Sequence, residues 1–157
     1  MTAVESDPAG VVADADVLVA DVLCDGYARE SLLAVRSHSW MTLFASEHLL
    51  ADAEAVLASL TDEQLASDWR AQIESESERI EHPPGDHPAL ATAYRSGAAH
   101  LLSFDDQLTS ARANLSVKPH LTLSVRPPDA FARLFDAASL YESLFDEPYP
   151  GPDIDVR

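Results

Sequence analysis

The fold of this chain is decided by the stretch Gly10-Val11-Val12-Ala13-Asp14-Ala15-Asp16. Its first four residues are small or β-branched and predict a short buried strand. The strand runs directly into two carboxylates, and residues 17–23 then predict a helix. A buried strand followed by polar residues and a helix is typical of an α/β protein, in which ligand sites lie at the carboxyl ends of the strands.

The rest of the chain repeats this alternation of strand and helix. Further strands are predicted at residues 40–45, 100–103 and 120–125. Because right-handed crossovers join such units, the alternation predicts a three-layer α-β-α fold with a central, mostly parallel sheet of four to five strands. The predicted helices cover residues 17–23, 27–35, 49–60, 62–80, 86–96 and 107–115, and a last helix begins at Pro128.

The length of 157 residues is enough for one compact domain. We predict a disordered lead at 1–9, a single domain at 10–145 and a loose tail at 146–157, which contains three prolines. Cys24 is the only cysteine, which excludes an intrachain disulfide and a cysteine-based zinc site. The first eight residues lack basic side chains, and no apolar run approaches the ~20 residues of a membrane span. We therefore expect a cytoplasmic protein without a membrane segment.

The formal net charge is −17, and a single lysine stands beside nine arginines. The acids are spread over a chain of ordinary hydrophobic content, so they belong to a folded surface rather than to a disordered acidic tail. This bias resembles that of proteins from extreme halophiles. It argues against a nucleic-acid partner, which usually needs a basic surface. At molar salt, however, the Debye length falls to about 3 Å, so the long-range repulsion is largely screened.

Polar residues recur just beyond the predicted strands. Asp14 follows the first strand, Ser46 follows the second, and Asp52 lies six residues further along the next helix. Because the carboxyl ends of parallel strands meet at one edge of a sheet, we expect these side chains to lie close together. Two carboxylates 4 Å apart repel by about 4 kcal/mol at an effective dielectric of about 20, so a converged cluster must bind cations or take up protons.

A third motif completes the pattern. Asp86 opens an alanine-rich helix, Gly97 ends it, and a short strand leads to Ser103 and Asp105. In order and spacing, the three motifs resemble the PIN domain family, over about residues 11–134. The Pro-Asp-Ala-Phe sequence at 128–131 also looks like that family's usual helix start after the last strand.

Two positions depart from the family pattern. Asp16 stands where the family usually has Asn or Thr, and Asp52 replaces a glutamate that is one methylene longer. Glu54 lies close to Asp52 in sequence and is a candidate substitute. Either departure points to an altered metal geometry or to lost activity.

The resemblance implies a metal-dependent ribonuclease that hydrolyses RNA phosphodiesters at a Mg²⁺ or Mn²⁺ site, since hard carboxylate oxygens suit these ions. It implies Asp14 and Asp105 as direct ligands, Asp86 as a ligand or water-positioning group, and Asp52 as the group that holds a second metal or the attacking water. It also allows an antitoxin partner and a homodimer. The predicted supporting residues are Asp16, Ser46, Glu54, Ser103 and Asp106.

Two other functions remain open at this stage. The first is a PIN-like domain that has lost its chemistry and serves as a scaffold that binds RNA or protein. The second is a haloacid-dehalogenase-type phosphatase, whose nucleophile strand resembles residues 11–16. That family needs a lysine ahead of its late acids, whereas Lys118 follows them here. The six histidines include no metal-spaced pair on one helix, and we predict that they are surface or loop residues.

Overall fold

A computed structural model describes residues 6–85, 87–109 and 123–156. Its centre is a five-stranded sheet in which every pair of neighbouring strands is parallel, and helices connect the strands. The predicted α/β fold with a central parallel sheet is confirmed. The strands are β1 (Asp7–Ala13), β2 (Thr42–Ala45), β3 (Ser77–Arg79), β4 (Ala98–Leu102) and β5 (Ser124–Arg126), in the spatial order β3-β2-β1-β4-β5.

Eight helices lie within the described residues. They are α1 (Ala15–Leu23), α2 (Tyr27–Arg36), α3 (Glu47–Leu60), α4 (Glu63–Glu76), α5 (Pro88–Ser96), α6 (Asp106–Thr109), α7 (Pro128–Leu134) and α8 (Ala137–Phe145). None of the helices in these ranges is long and apolar enough to cross a membrane. The predicted helix at 107–115 is described only as far as Thr109, and the start of the predicted strand at 120–125 also lies outside the described residues.

Strand β1 is the centre of the core. Val11, Val12 and Ala13 are at most 1% exposed. Because successive side chains of a strand point to opposite faces, this burial means that both faces of the sheet are covered, as a three-layer arrangement requires. Gly10 lies where β1 passes closest to its neighbours: an added Cβ would be 2.8 Å from a ring carbon of Phe44 and 3.1 Å from the Cα of Ala98.

Two boundaries were predicted wrongly. Strand β1 begins at Asp7, so residues 7–9 are not part of a disordered lead; the Asp7 N–H donates to the Gly97 carbonyl at 2.7 Å. The predicted helix at 62–80 ends at Glu76, and Ser77–Arg79 forms the edge strand β3. This short polar segment pairs along β2, and the Ile80 N–H continues the ladder by donating to the Ala45 carbonyl at 2.9 Å.

The C-terminal segment after α8 is irregular, but the prediction of a loose tail is wrong for its described part. The backbone N–H groups of Asp153 and Ile154 both donate to the Ser37 carbonyl, at 3.0 and 3.1 Å. The Asp153 carboxylate accepts the Ser39 N–H at 2.8 Å. Tyr149 places its hydroxyl 2.5 Å from the Nε2 of buried His38. These contacts hold the segment against the end of α2.

The strand registers align the residues that follow each strand. Val12 pairs with Phe44 on one side of β1, and Ala13 pairs with Leu102 on the other. Continuing these registers past the strand ends places Asp14 between Ser46 and Ser103. On the far side of β2, Ala45 pairs with Arg79. The carboxyl edge of the sheet therefore presents one row of residues from β3 to β4, and this row carries the candidate site.

Candidate functional site

Asp14 is the centre of the site, and its two carboxylate oxygens have different partners. Oδ1 accepts the Ala15 N–H at 2.8 Å and so caps helix α1. Oδ2 accepts the Ser103 hydroxyl at 2.8 Å. The side chain is 13% exposed, which leaves the carboxylate accessible while these hydrogen bonds fix its orientation.

Ser103 connects Asp14 to Asp105. Its side chain is fully buried, and its Oγ donates to Asp14 while accepting the Asp105 N–H at 3.0 Å. The Asp105 carboxylate in turn accepts the Gln107 N–H at 2.9 Å, at the start of α6. The predicted supporting role of Ser103 therefore has a geometric basis: one hydroxyl group sets the position of both acids.

Asp16 lies beside the same two acids. Its Oδ2 accepts the Phe104 N–H at 3.3 Å, across from β1 to the segment that follows β4. Desolvation by the surrounding protein, and then the negative charges of Asp14 and Asp105, raise the pKa of Asp16 to about 6. Asp16 as a whole remains solvent-exposed, so its carboxyl group is desolvated only in part. Asp14, Asp16 and Asp105 thus interact electrostatically.

His87 is a neighbour of the site that sequence reasoning missed. Its Nε2 lies 3.9 Å from the Asp14 Oδ2, and the side chain is 36% exposed. His87 is the residue that immediately precedes α5, which begins at Pro88 rather than at the predicted position 86. The sequence does show that His87 directly precedes a helix that begins with proline. It does not show that this position lies next to Asp14.

A comparison with protein families identifies the family of this chain. The model of a family of unknown function, DUF7384, matches residues 5–157. The chain belongs to this family. No curated protein matches the sequence. The DUF7384 description carries no activity, so the resemblance to PIN domains stays a prediction.

The remaining predicted site residues of this DUF7384 protein are only partly brought together. Ser46 is fully buried beside Asp14 in the row, where its Oγ accepts the Leu49 N–H at 3.2 Å and caps α3. Asp106, the first residue of α6, is exposed. Asp86 lies outside the described residues.

The two predicted site residues in α3, Asp52 and Glu54, are not linked to the cluster by any contact in the described residues. Asp52 is exposed and has no hydrogen bond or ion pair to another described side chain. Glu54 forms an ion pair with Arg70 of α4 at 3.2 Å, and its substitution for Asp52 stays a prediction. Within the described parts of the DUF7384 chain, no three His, Cys, Asp or Glu side chains are arranged as a ready metal site.

Proposed function

We propose that this protein is a metal-dependent ribonuclease that hydrolyses RNA phosphodiesters at the carboxyl ends of β1 and β4. The observation that carries the proposal is the grouping of Asp14, Asp16 and Asp105 around the buried hydroxyl of Ser103. The motif order that resembles PIN domains supports the same reaction class. On this view the resemblance to PIN domains reflects a shared fold and chemistry.

The donor groups fit Mg²⁺ or Mn²⁺. Mg²⁺ is commonly bound by one or two carboxylates together with several waters and substrate phosphates, so a closed cage of protein ligands is not required. Asp14 and Asp105 would be the direct ligands, and Asp86 remains the third ligand by sequence prediction. The raised pKa of Asp16 supports this fit, since its causes include the negative charges of Asp14 and Asp105, which a cation would offset.

The chain's own residues would prepare the reaction. A bound metal ion would supply a water of lowered pKa and would clamp the scissile phosphate. Ser103 would keep the Asp14 and Asp105 oxygens in fixed directions, which limits the reorganisation needed when substrate arrives. His87, beside Asp14, would contact the phosphate or the leaving oxygen.

Cleavage of a labelled, mixed-sequence single-stranded RNA tests this proposal. The assay is run in molar KCl with Mn²⁺, on the wild type, Asp14→Asn and Asp25→Asn, with an EDTA control. Asp25 is a matched control because it is an exposed acid just past the opposite end of α1. We expect metal-dependent cutting by the wild type and Asp25→Asn, and its loss in Asp14→Asn. Equal cutting by Asp14→Asn would refute the proposal.

A scaffold that has lost its chemistry is the second candidate. The position of Asp52 favours it, because this acid has no contact with the cluster in the described residues. The two functions differ in their response to metal. A ribonuclease should be stabilised against thermal unfolding by Mn²⁺ through Asp14, and Asp14→Asn should abolish the stabilisation. A scaffold should unfold at the same temperature with and without Mn²⁺.

A further inference from the structure

A cavity opens on the same edge of the sheet as Asp14, beyond the carboxyl ends of β2 and β3. Its volume is about 350 Å³, and residues 46–48 and 79–82 line it. The register places Ile80 two strand spacings from Asp14, about 10 Å along the row. The cavity and the acids therefore lie next to each other on one edge of the sheet.

Two histidines that are 34 positions apart in the sequence, His48 and His82, meet in this cavity. Their ring centroids are 4.8 Å apart, and the ring planes are tilted by 36°. His48 is exposed and His82 lies in a loop, as predicted, but the sequence did not indicate that their rings would meet. Such a pair offers imidazole faces on which a planar group can stack, as single-stranded bases stack on aromatic side chains.

Hydrogen bonds fix the orientation of the His82 ring. Its Nδ1 lies 2.9 Å from the Pro83 carbonyl, which can only accept, so the Nδ1 carries the proton. In the neutral ring Nε2 is then an acceptor, and it receives the hydroxyl of the buried Ser46 at 2.9 Å. Because Ser46 also caps α3, the ring is tied to the same row of residues that holds Asp14.

The charges around the cavity select against a phosphate group. Arg79 is shared by Glu47 and Glu74, at 3.6 and 3.1 Å, and is therefore already neutralised. Glu47 also binds Arg70. Glu81 lines the cavity as a further exposed acid. A carboxylate accepts hydrogen bonds from exocyclic amino groups of bases, whereas it repels phosphate.

We propose that this cavity binds a nucleobase that carries an exocyclic amino group, stacked on His48 and His82, from the single-stranded RNA whose phosphate lies at Asp14. This inference rests on the proposed ribonuclease function. It implies a preference for cytosine, adenine or guanine over uracil next to the cut. The acids then hold the phosphate and the cavity holds the neighbouring base.

Nucleotide binding to the full chain tests the cavity without requiring catalysis. Cytidine and uridine 5′-monophosphate are titrated without metal, with ribose 5-phosphate as the base-free control, and the imidazole ring resonances of His48 and His82 are followed by NMR. We expect both rings to respond to the cytidine compound, with an affinity at least about fivefold higher than for the uridine compound. A response to ribose 5-phosphate alone, or equal affinity for the two bases, would overturn the proposal.

Two variants separate the stacking role from folding. His48→Ala removes an exposed ring in the first turn of α3, and Leu60→Ala changes an exposed side chain at the last turn of the same helix. Loss of one stacked base contact, about 1–3 kcal/mol, corresponds to at least about fivefold weaker cytidine nucleotide binding. We expect this loss in His48→Ala and wild-type affinity in Leu60→Ala. An unchanged affinity in a folded His48→Ala would contradict the stacking role.

Cleavage then distinguishes the two proposals. If RNA is cut with Mn²⁺ and His48→Ala raises KM without changing the stabilisation by Mn²⁺, both stand. If RNA is cut and His48→Ala has wild-type KM and base preference, the cavity proposal fails and the ribonuclease stands. If no RNA is cut while the cytidine nucleotide still shifts both rings, the ribonuclease fails and the cavity remains a base-binding site.

Discussion

Replacing Ser103 by alanine removes the hydroxyl group that joins Asp14 to Asp105. The wild-type hydroxyl is fully buried, donates to the Asp14 carboxylate at 2.8 Å and accepts the Asp105 N–H at 3.0 Å. A hydrogen bond to a charged group contributes about 1.5–3 kcal/mol. Because the Asp14 side chain is only 13% exposed, water cannot fully replace the lost hydrogen bond from Ser103. The Asp105 N–H is in a half-buried residue that water reaches. We therefore expect Ser103→Ala to lower the free energy of unfolding by about 2 kcal/mol.

Urea unfolding at pH 7 measures this loss, and thermal unfolding should show a decrease in Tm of about 4–8 °C for a chain of this size. Ser59→Ala is the matched control, because the Ser59 hydroxyl donates to the Val56 carbonyl at 2.8 Å on an exposed surface. We expect a change of less than about 0.5 kcal/mol there. A loss in Ser103→Ala no larger than in Ser59→Ala would refute the argument.

The same substitution tests the role of Ser103 at the proposed metal site. Removal of a group that orients a metal ligand typically costs 10–100-fold in metal affinity, about the effect that we expect on Mn²⁺ binding by Ser103→Ala. Ser103→Thr keeps the hydroxyl but adds a methyl group to a filled position, so it should retain Mn²⁺ affinity even where it is less stable. Isothermal titration with Mn²⁺ measures both variants, and equal affinities in Ser103→Ala and Ser103→Thr would show that the hydroxyl does not position Asp14.

Two further predictions concern the central strand and the acid beside it. Gly10→Ala would place a Cβ 2.8 Å from the Phe44 ring, and the resulting overpacking should cost about 1–3 kcal/mol in urea unfolding; a neutral result would show that the ring moves away freely. Asp16→Asn should stabilise the metal-free protein at neutral pH. Because the pKa of Asp16 is raised from 3.8 to about 6, only the folded state binds this proton between those values, and the wild type loses stability as the pH rises through that window. For an exposed carboxylate screened by solvent, the gain in Asp16→Asn at pH 7 should be at most about 1 kcal/mol and should vanish at pH 3.5, as a pH series of thermal unfolding can check. A gain of the same size at both pH values would point to another cause.

The central part of the fold was predictable because its signal is local. Residues 10–13 form a continuous small and β-branched run, which is typical of a strand buried on both faces. Asp14 and Ser103 are the first polar residues after two such strands, and neighbouring parallel strands end at the same edge. The contact between them therefore follows from strand position alone, without knowledge of the helices.

The errors arose where position depends on partners rather than on local pattern. The segment Ser77–Arg79 has no apolar alternation, and it becomes a strand because β2 has an open edge with unpaired backbone groups. Glu54 shows the same dependence on partners: it forms an ion pair with Arg70 of the next helix, which its position near Asp52 in the sequence did not indicate. The sequence shows that a glutamate can bind a cation, but the arginines on neighbouring helices decide with which group it pairs.

The row of residues along the carboxyl edge of the sheet contains two neighbouring surfaces of different chemistry. Asp14 lies in the row between two buried serines with different partners. Ser103 hydrogen-bonds to Asp14 and to Asp105, whereas Ser46 hydrogen-bonds to His82. Both serine hydroxyls are fully buried, so each is held by its helix cap or its hydrogen bonds and cannot adapt freely to a ligand. A substrate with a charged phosphate and a neutral base would therefore meet two rigid surfaces of different chemistry on one edge. Because the strand register fixes their separation, a change in spacing would require a shift of β1 against β2, which would expose the buried run at residues 10–13.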